Sequence, residues 1–266
     1  MVNVSVIMGV YNCKNLHLLK ESIQSIVNQT YSNWEFIICN DGSTDNTLDE
    51  LHKIANIDKR IRIITYKENR GLAHALNECI KKANGKYIVR QDDDDLSRLD
   101  RIEKLVEFKE NNPDYAIVGS NARVFDNNGV WGEYVVPQEP KKKDFLWNSP
   151  FAHPTVLIEK DKLLDVNGYR EAKETRRCED YDLFMEMYSK GYRGYNIQEK
   201  LYDYRIENNK EKKYRPMKYR IDEAIVRYKG YKKLGMVIKG IPYILKPVLI
   251  GLLPQGILYK IKKRQY

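Results

Sequence analysis

Four short aliphatic runs, at residues 4–10, 35–40, 61–65 and 86–90, alternate with segments whose apolar residues recur at helical spacing. No other feature constrains the fold as tightly. Leu16, Leu19, Ile23, Ile26 and Val27 form the first helical stripe, and Leu48, Leu51, Ile54 and Ala55 the second. Leu72, Leu76, Cys79, Ile80 and Ala83 form the third, stopped at Gly85. Steps of three and four residues gather the apolar side chains on one face, which must then be covered. Thr44 or Asp45 is placed to cap the second helix. Strand and helix in regular turn predict right-handed βαβ units on a mostly parallel sheet: an α/β, doubly wound first half.

Beyond residue 95 the pattern loosens. Ile102, Leu105, Val106 and Phe108 predict one more helix, and residues 115–125 and 130–136 flank Asp126-Asn127-Asn128-Gly129 as a hairpin. Residues 155–159 read as a short strand, and Leu183, Phe184, Met187 and Tyr188 mark a helix beginning near Glu179. The expected layout is one catalytic domain over 1–205, divided into a ligand-binding half (1–118) and a mixed α+β half (119–205). A basic helical tail follows over 206–266.

The tail carries the charge. Of a formal net +9, residues 205–266 hold 17 Lys and Arg against 4 Asp and Glu, whereas residues 1–204 hold 29 against 33. Its apolar stretch is interrupted by Gly235, Gly240, Pro242, Pro247, Gly251, Pro254 and Gly256, which argues against one straight helix. No run is long enough to span a bilayer. A basic segment with apolar patches suits the membrane interface, with self-association as the alternative role. The four cysteines make no paired motif, and the start of the chain has no leader pattern, so a cytoplasmic protein with reduced thiols is expected, held peripherally at the inner face of the cell membrane.

In open α/β sheets ligands bind beyond the carboxyl ends of the strands. Polar clusters stand at three such ends: Tyr11-Asn12, Asp41, and the run Asp92-Asp93-Asp94-Asp95. Four adjacent carboxylates repel one another unless a cation offsets them, and hard ions such as Mn²⁺ or Mg²⁺ bind through one or two carboxylates plus substrate phosphates. Asp92 and Asp94 suit that role, whereas Asp95 is as well placed to cap the next helix. The chain has neither a glycine-rich dinucleotide fingerprint nor a Walker-type phosphate loop, so phosphates must be held some other way. Glu179-Asp180, at a helix start, reads either as a cap or as a general base, and His153 as a metal ligand, an acceptor contact or a structural histidine.

With these residues assembled, the chain resembles the family 2 glycosyltransferases of the GT-A fold over about residues 3–205. The matching stretches are Ser5-Val6-Ile7-Met8-Gly9-Val10-Tyr11-Asn12, Asn40-Asp41-Gly42-Ser43-Thr44-Asp45, Asn69-Arg70-Gly71-Leu72 with Ala75-Leu76-Asn77, the run 92–95, Ser149-Pro150-Phe151-Ala152-His153-Pro154-Thr155 and Glu179-Asp180-Tyr181-Asp182-Leu183. The last two look like the branch that builds bacterial exopolysaccharide, capsule and O-antigen, the amylovoran type included.

The resemblance implies that Val10, Tyr11 and Asp41 contact base and ribose, Asp41 accepting from a uracil N–H. Asn12, Asn69, Gly71, Asn77, Asp92 and Asp93 would complete the donor side. Asp92 and Asp94 would be the outer members of a DXD motif holding Mn²⁺ or Mg²⁺, Asp94 most directly. Asp180 would be the catalytic base, with Glu179 and His153 on the acceptor side. The implied reaction is inverting transfer of a single sugar from a nucleotide sugar, UDP-linked, to a glycan or lipid-linked glycan, with no nucleic-acid partner. A Gln-x-x-Arg-Trp motif is missing, which argues against a processive synthase. The alternatives are a non-catalytic nucleotide-binding subunit and a sugar-phosphate nucleotidyltransferase. The latter would need a glycine-rich basic loop where Tyr11-Asn12-Cys13-Lys14 stands.

Overall fold

The computed structural model describes residues 2–208 and 215–252. Its first half contains β1 (Val4–Val10), α1 (Leu16–Val27), β2 (Trp34–Asn40), α2 (Thr47–Ala55), β3 (Ile61–Thr65), α3 (Leu72–Lys82) and β4 (Tyr87–Arg90). The four strands run parallel in the order β3-β2-β1-β4. Alternation along β1 sorts the core into two layers. Val4, Val6, Met8 and Val10 pack with Leu19, Ile23 and Ile26 of α1 and Leu51 and Ile54 of α2. Ile7 points the other way, to Ala75, Leu76, Cys79 and Ile80 of α3. Both sheet faces are therefore covered, as parallel strands require.

The second half adds β5 (Leu96–Ser97), α4 (Arg101–Asn111), β6 (Tyr115–Asp126), β7 (Gly129–Tyr134), β8 (Leu157–Glu159), α5 (Lys160–Asp165), α6 (Glu179–Ser189) and β9 (Arg193–Arg205). β8 joins the parallel block antiparallel to β4 and passes it on to β6. β9 lies parallel to β6, and β5 closes the order antiparallel to β9. The result is one mixed sheet, β3-β2-β1-β4-β8-β6-β9-β5, with β7 paired to β6 as the predicted hairpin.

β9 was not legible beforehand. Its sequence, RGYNIQEKLYDYR, lacks clean alternation, because Asn196 and Asp203 are buried beside Gly194, Leu201 and Tyr202. Asn196 donates through Nδ2 to the carbonyls of Pro137 and Pro150, and Asp203 pairs with Arg123.

The tail corrects one expectation. It forms α7 (Met217–Lys233) and α8 (Val237–Gly251), broken at Gly235, whose φ of +74° ends α7. Gly240, Pro242 and Pro247 do not interrupt α8; the helix runs through them. Close packing explains part of this: a side chain on Gly240 would sit 2.3 Å from the Tyr231 ring, and one on Gly251 would strike Arg220. The two helices thus lie against each other in antiparallel fashion. Nor is all of the tail's charge left to solvent. Arg227 is 2% exposed and donates to Glu223, to the hydroxyls of Tyr181 and Tyr231 and to the carbonyls of Leu146 and Trp147. Pro254 and Gly256 lie outside the described residues.

That buried guanidinium predicts a specific weakness. Arg227→Met would remove the donor to Glu223 and to four carbonyl and hydroxyl partners, at a cost of about 3 kcal/mol or more. Thermal unfolding is expected to come roughly 6–12 °C earlier, with α7 the first helix to lose amide-exchange protection.

Candidate active site

The polar clusters predicted at the strand ends do come together. After β1, Asn12 adopts a left-handed backbone (φ 44°) and reaches across to the loop after β2: its Oδ1 accepts from the Thr44 N–H at 2.8 Å, and its own N–H donates to Ser43 Oγ. Val10 is buried beneath this junction and Tyr11 stands exposed at its rim. Asp45 accepts from the Thr47 N–H at 3.0 Å, but the cap position of α2 is Asn46, without a side-chain capping bond, so neither Thr44 nor Asp45 is the cap.

Asp41 is 3% exposed, and its carboxylate is engaged on all sides. Oδ1 accepts from Tyr66 Oη at 2.6 Å and Arg70 N at 2.8 Å; Oδ2 accepts from Asn69 Nδ2 at 2.7 Å and Gly71 N at 2.9 Å. Four donors fill the roughly four lone-pair sites of a carboxylate. What Asp41 presents to the crevice in this arrangement is the loop 69–71 that it shapes. Gly42 makes the approach feasible, since any Cβ there would lie 2.5 Å from the backbone of Glu68, and its φ is +64°. Asn77 is engaged elsewhere: its amide donates to Tyr169 O and Glu171 Oε1 and accepts from Tyr169 N, tying α3 to the segment before α6.

The acidic run sits over two buried arginines that carried no expected role. Arg90, 2% exposed, donates to Asp92 Oδ1 at 2.5 Å and to the Gln91 carbonyl. Arg101, fully buried, donates to Gln91 Oε1, Ser97 Oγ and the carbonyls of Arg90 and Pro154. The Gln91 amide adds bonds to Ser22 Oγ and the carbonyls of Asp92 and Asp95. The loop is pinned from within, leaving Asp92, Asp93 and Asp94 at the crevice. Desolvation first and neighbouring carboxylates second hold Asp94 above the usual carboxylate range and Asp93 up to about 7.

Asp95 overturns its expected role. It caps no helix, because the chain continues extended through β5 and α4 starts only at Arg101. Its buried Oδ1 accepts from the Arg205 N–H at 2.7 Å, so it anchors β9 instead.

Asp180 lies at the start of α6, and Arg177 just before it takes a strained left-handed conformation (φ 68°). A cleft of about 340 Å³ brings Asp92, His153 and Asp180 together, with Leu72, Tyr134 and Arg177 among its walls. Burial, and then the charge of Glu179, push the Asp180 carboxyl up to about 7, against the lowering pull of backbone N–H groups at the helix start. Glu179 is raised too, chiefly by burial. His153 meets Tyr169 Oη at 2.8 Å through Nε2, and burial followed by the charge of Arg90 drives its imidazole well below its ordinary value. It is therefore neutral at pH 7.

The model of "Glycosyl transferase family 2" matches residues 5–166. The chain is 41% identical to the Bacillus subtilis protein EpsE, named as a glycosyltransferase, over 98% of this chain and 94% of that relative. It is 30% identical to the Escherichia coli UDP-Gal:alpha-D-GlcNAc-diphosphoundecaprenol beta-1,3-galactosyltransferase over 96% and 94%. Among solved structures, S. aureus TarS 1-349 with UDP-GlcNAc superposes with a TM-score of 0.70 at 17% identity, covering 92% of this chain and 73% of that one. A mannosyltransferase from Pyrobaculum calidifontis, in complex with GDP-Man and Mn²⁺, reaches 0.62 at 18% identity. The chain belongs to glycosyltransferase family 2, with the GT-A fold. It is a glycosyltransferase, and the nucleotidyltransferase alternative falls away.

The Asp41 network generates a direct test. Asp41→Asn would turn an amide N–H₂ toward a backbone or Asn69 donor and remove the charge, costing on the order of 2–4 kcal/mol. We expect a lower melting temperature and new proteolytic cleavage between Tyr66 and Gly71, with the far side of the sheet unaffected.

Proposed function

We propose that this enzyme transfers a single sugar from a nucleotide sugar, with UDP as carrier, to a hydroxyl of a lipid-linked glycan at the inner face of a bacterial cell membrane, during surface-polysaccharide synthesis. The observation that carries the reading is the convergence of Asp92, His153 and Asp180 on one cleft, with Asp180 held at about 7. A carboxylate with that proton affinity is matched to general-base work at neutral pH. The names of the relatives support the rest: one acts from UDP-Gal on a diphosphoundecaprenol-linked GlcNAc, and the TarS structure holds UDP-GlcNAc.

The chemistry is a single displacement with inversion. As the acceptor oxygen closes on the anomeric carbon, Asp180 takes its proton. The bond from that carbon to the diphosphate oxygen breaks, and the electron pair leaves with the nucleoside diphosphate. Neutral His153, fixed by Tyr169, orients the acceptor hydroxyl beside Asp180. On the donor side, the loops stitched by Asn12 and Asp41 form the walls around base and ribose, with Val10, Tyr11, Asn69 and Gly71 lining them. Asn77 contributes by holding the Tyr169 segment in place.

Mn²⁺ or Mg²⁺ fits the acidic loop. Asp92 and Asp94 would hold it, and Asp93 and Asp94 carry the crowding that a cation relieves. Among the described residues no three His, Cys, Asp or Glu side chains form a cage, and an ion held by one or two carboxylates takes further ligands from substrate phosphates. Bound there, it supplies charge neutralisation for the departing diphosphate.

Three variants and a pH profile decide. Asp180→Asn is expected to lower transfer by roughly 10²–10⁴-fold while UDP binding in the presence of Mn²⁺ persists; full activity would identify a different base. Because the base works only when deprotonated, kcat should rise with pH through about 7 and then level off. Glu179→Gln removes a charge that raises Asp180, so this limb should move to lower pH. In Asp94→Ala, UDP affinity should lose its dependence on Mn²⁺.

A further inference from the structure

α8 carries a row of aliphatic side chains that nothing described covers. Ile238, Ile241, Leu245, Leu249 and Leu252 follow one another at steps of three and four, and each is between 50% and 86% exposed. Such spacing keeps all five on one narrow stripe of the helix. The opposite stripe is the packed one, with Gly240 against Tyr231 and Gly251 against Met217 and Arg220. α7 has a shorter row of the same kind, Ile221, Ile225 and Tyr228, on the side away from its buried Val226, Gly230 and Tyr231. A contiguous apolar row of this length marks an interaction site, whereas scattered surface aliphatics need no explanation.

We propose that the solvent face of α8 docks on an anionic lipid surface, lying in the interface with its axis along the membrane. Three observations select lipid over a protein partner. The row is purely aliphatic, without the aromatic and arginine anchors that dominate protein interfaces, and Lys239 and Lys246 flank it along one side. The chain from residue 205 onward has 17 basic against 4 acidic residues, four of the basic ones falling between 260 and 264. Anionic lipid complements that charge, which a second copy would repel. No described helix is long and apolar enough to cross a bilayer, so an in-plane position is the one available.

The face is also coupled to the cleft. Lys246 lies 3.4 Å from the centre of the exposed Trp147 ring and donates to the Trp147 carbonyl at 2.9 Å. The next two residues, Asn148 and Ser149, line the acceptor cleft. Docking through α8 would set the cleft mouth near the lipid surface, where a lipid-linked acceptor presents its sugar. This consequence rests on the acceptor class proposed above; the docking itself does not.

The test uses the full chain and the double variant Leu245→Glu with Leu249→Glu, floated with vesicles of phosphatidylcholine, with or without phosphatidylglycerol. An equally simple substitution on the catalytic body, Leu164→Glu, is the control. Wild type and control should bind the anionic vesicles, less so at high salt, and the double variant should bind roughly tenfold less or weaker still, with melting temperature and UDP affinity unchanged. Equal vesicle binding by the double variant overturns the proposal. So does a wild type that ignores vesicles but forms a dimer which the double variant breaks. So does vesicle binding that emerges only after residues 253–266 are removed, which would mean that the chain's own end covers the face. UDP affinity is read separately: its absence in wild type would defeat the donor reading and leave the vesicle result standing.

Discussion

Two buried guanidinium groups hold this site together. Arg90 ends β4 and turns back beneath the acidic run, and Arg101, at the start of α4, ties the same turn to the Pro154 carbonyl across the sheet. Burying a cation is costly unless hydrogen bonds compensate it. Here the terminal N–H groups are taken by carbonyls, the Asp92 carboxylate and the oxygens of Gln91 and Ser97, while neither buried Nε has a partner among the described residues. Burial nevertheless lowers Arg101 to about 10, a measure of how dry its setting is. Arg101 thereby ties the end of β4 to the 153–155 segment through a single side chain.

The same charges tune the cleft. Arg90 pulls Asp93, Asp94 and Glu179 down and pushes His153 further toward neutrality, while desolvation and mutual repulsion push the carboxyls up. The outcome is an anionic crevice poised to receive positive charge beside a carboxyl whose proton affinity lies near neutrality. Arg227 plays a comparable part from outside, bonding the hydroxyl of Tyr181, the residue after Asp180, and the carbonyls that lead into the 148–154 segment. α7 is for that reason part of the cleft wall, which its Glu223 lines, although it lies beyond the portion of the chain that the family model matches.

Much of this was legible beforehand. The period-3.6 stripes located α1, α2, α3, α4 and α6, and the polar residues after β1, β2 and β4 located the crevice, because a parallel sheet places all three strand ends on one edge. The run 92–95 was legible as a cluster but not as four separate fates. Asp95 turned inward to Arg205 because β5 pairs with β9, a contact between residues more than a hundred positions apart. Asp41 was expected at the base and was found saturated by the loop 69–71, and Asn77 by Tyr169.

The sequence by itself determined the βαβ order, the edge of the sheet where polar groups collect, the family, and the candidate base and acidic run. Local periodicity and short motifs carry that information. Only the tertiary structure decided which carboxylates face the crevice and which serve the scaffold, that Arg90 and Arg101 lie beneath them, and that the described part of the tail is a packed helical pair with one aliphatic face that no described residue covers. Those outcomes depend on which distant groups satisfy each buried polar atom, and hydrogen-bond partners a hundred residues away leave no periodic trace in the chain.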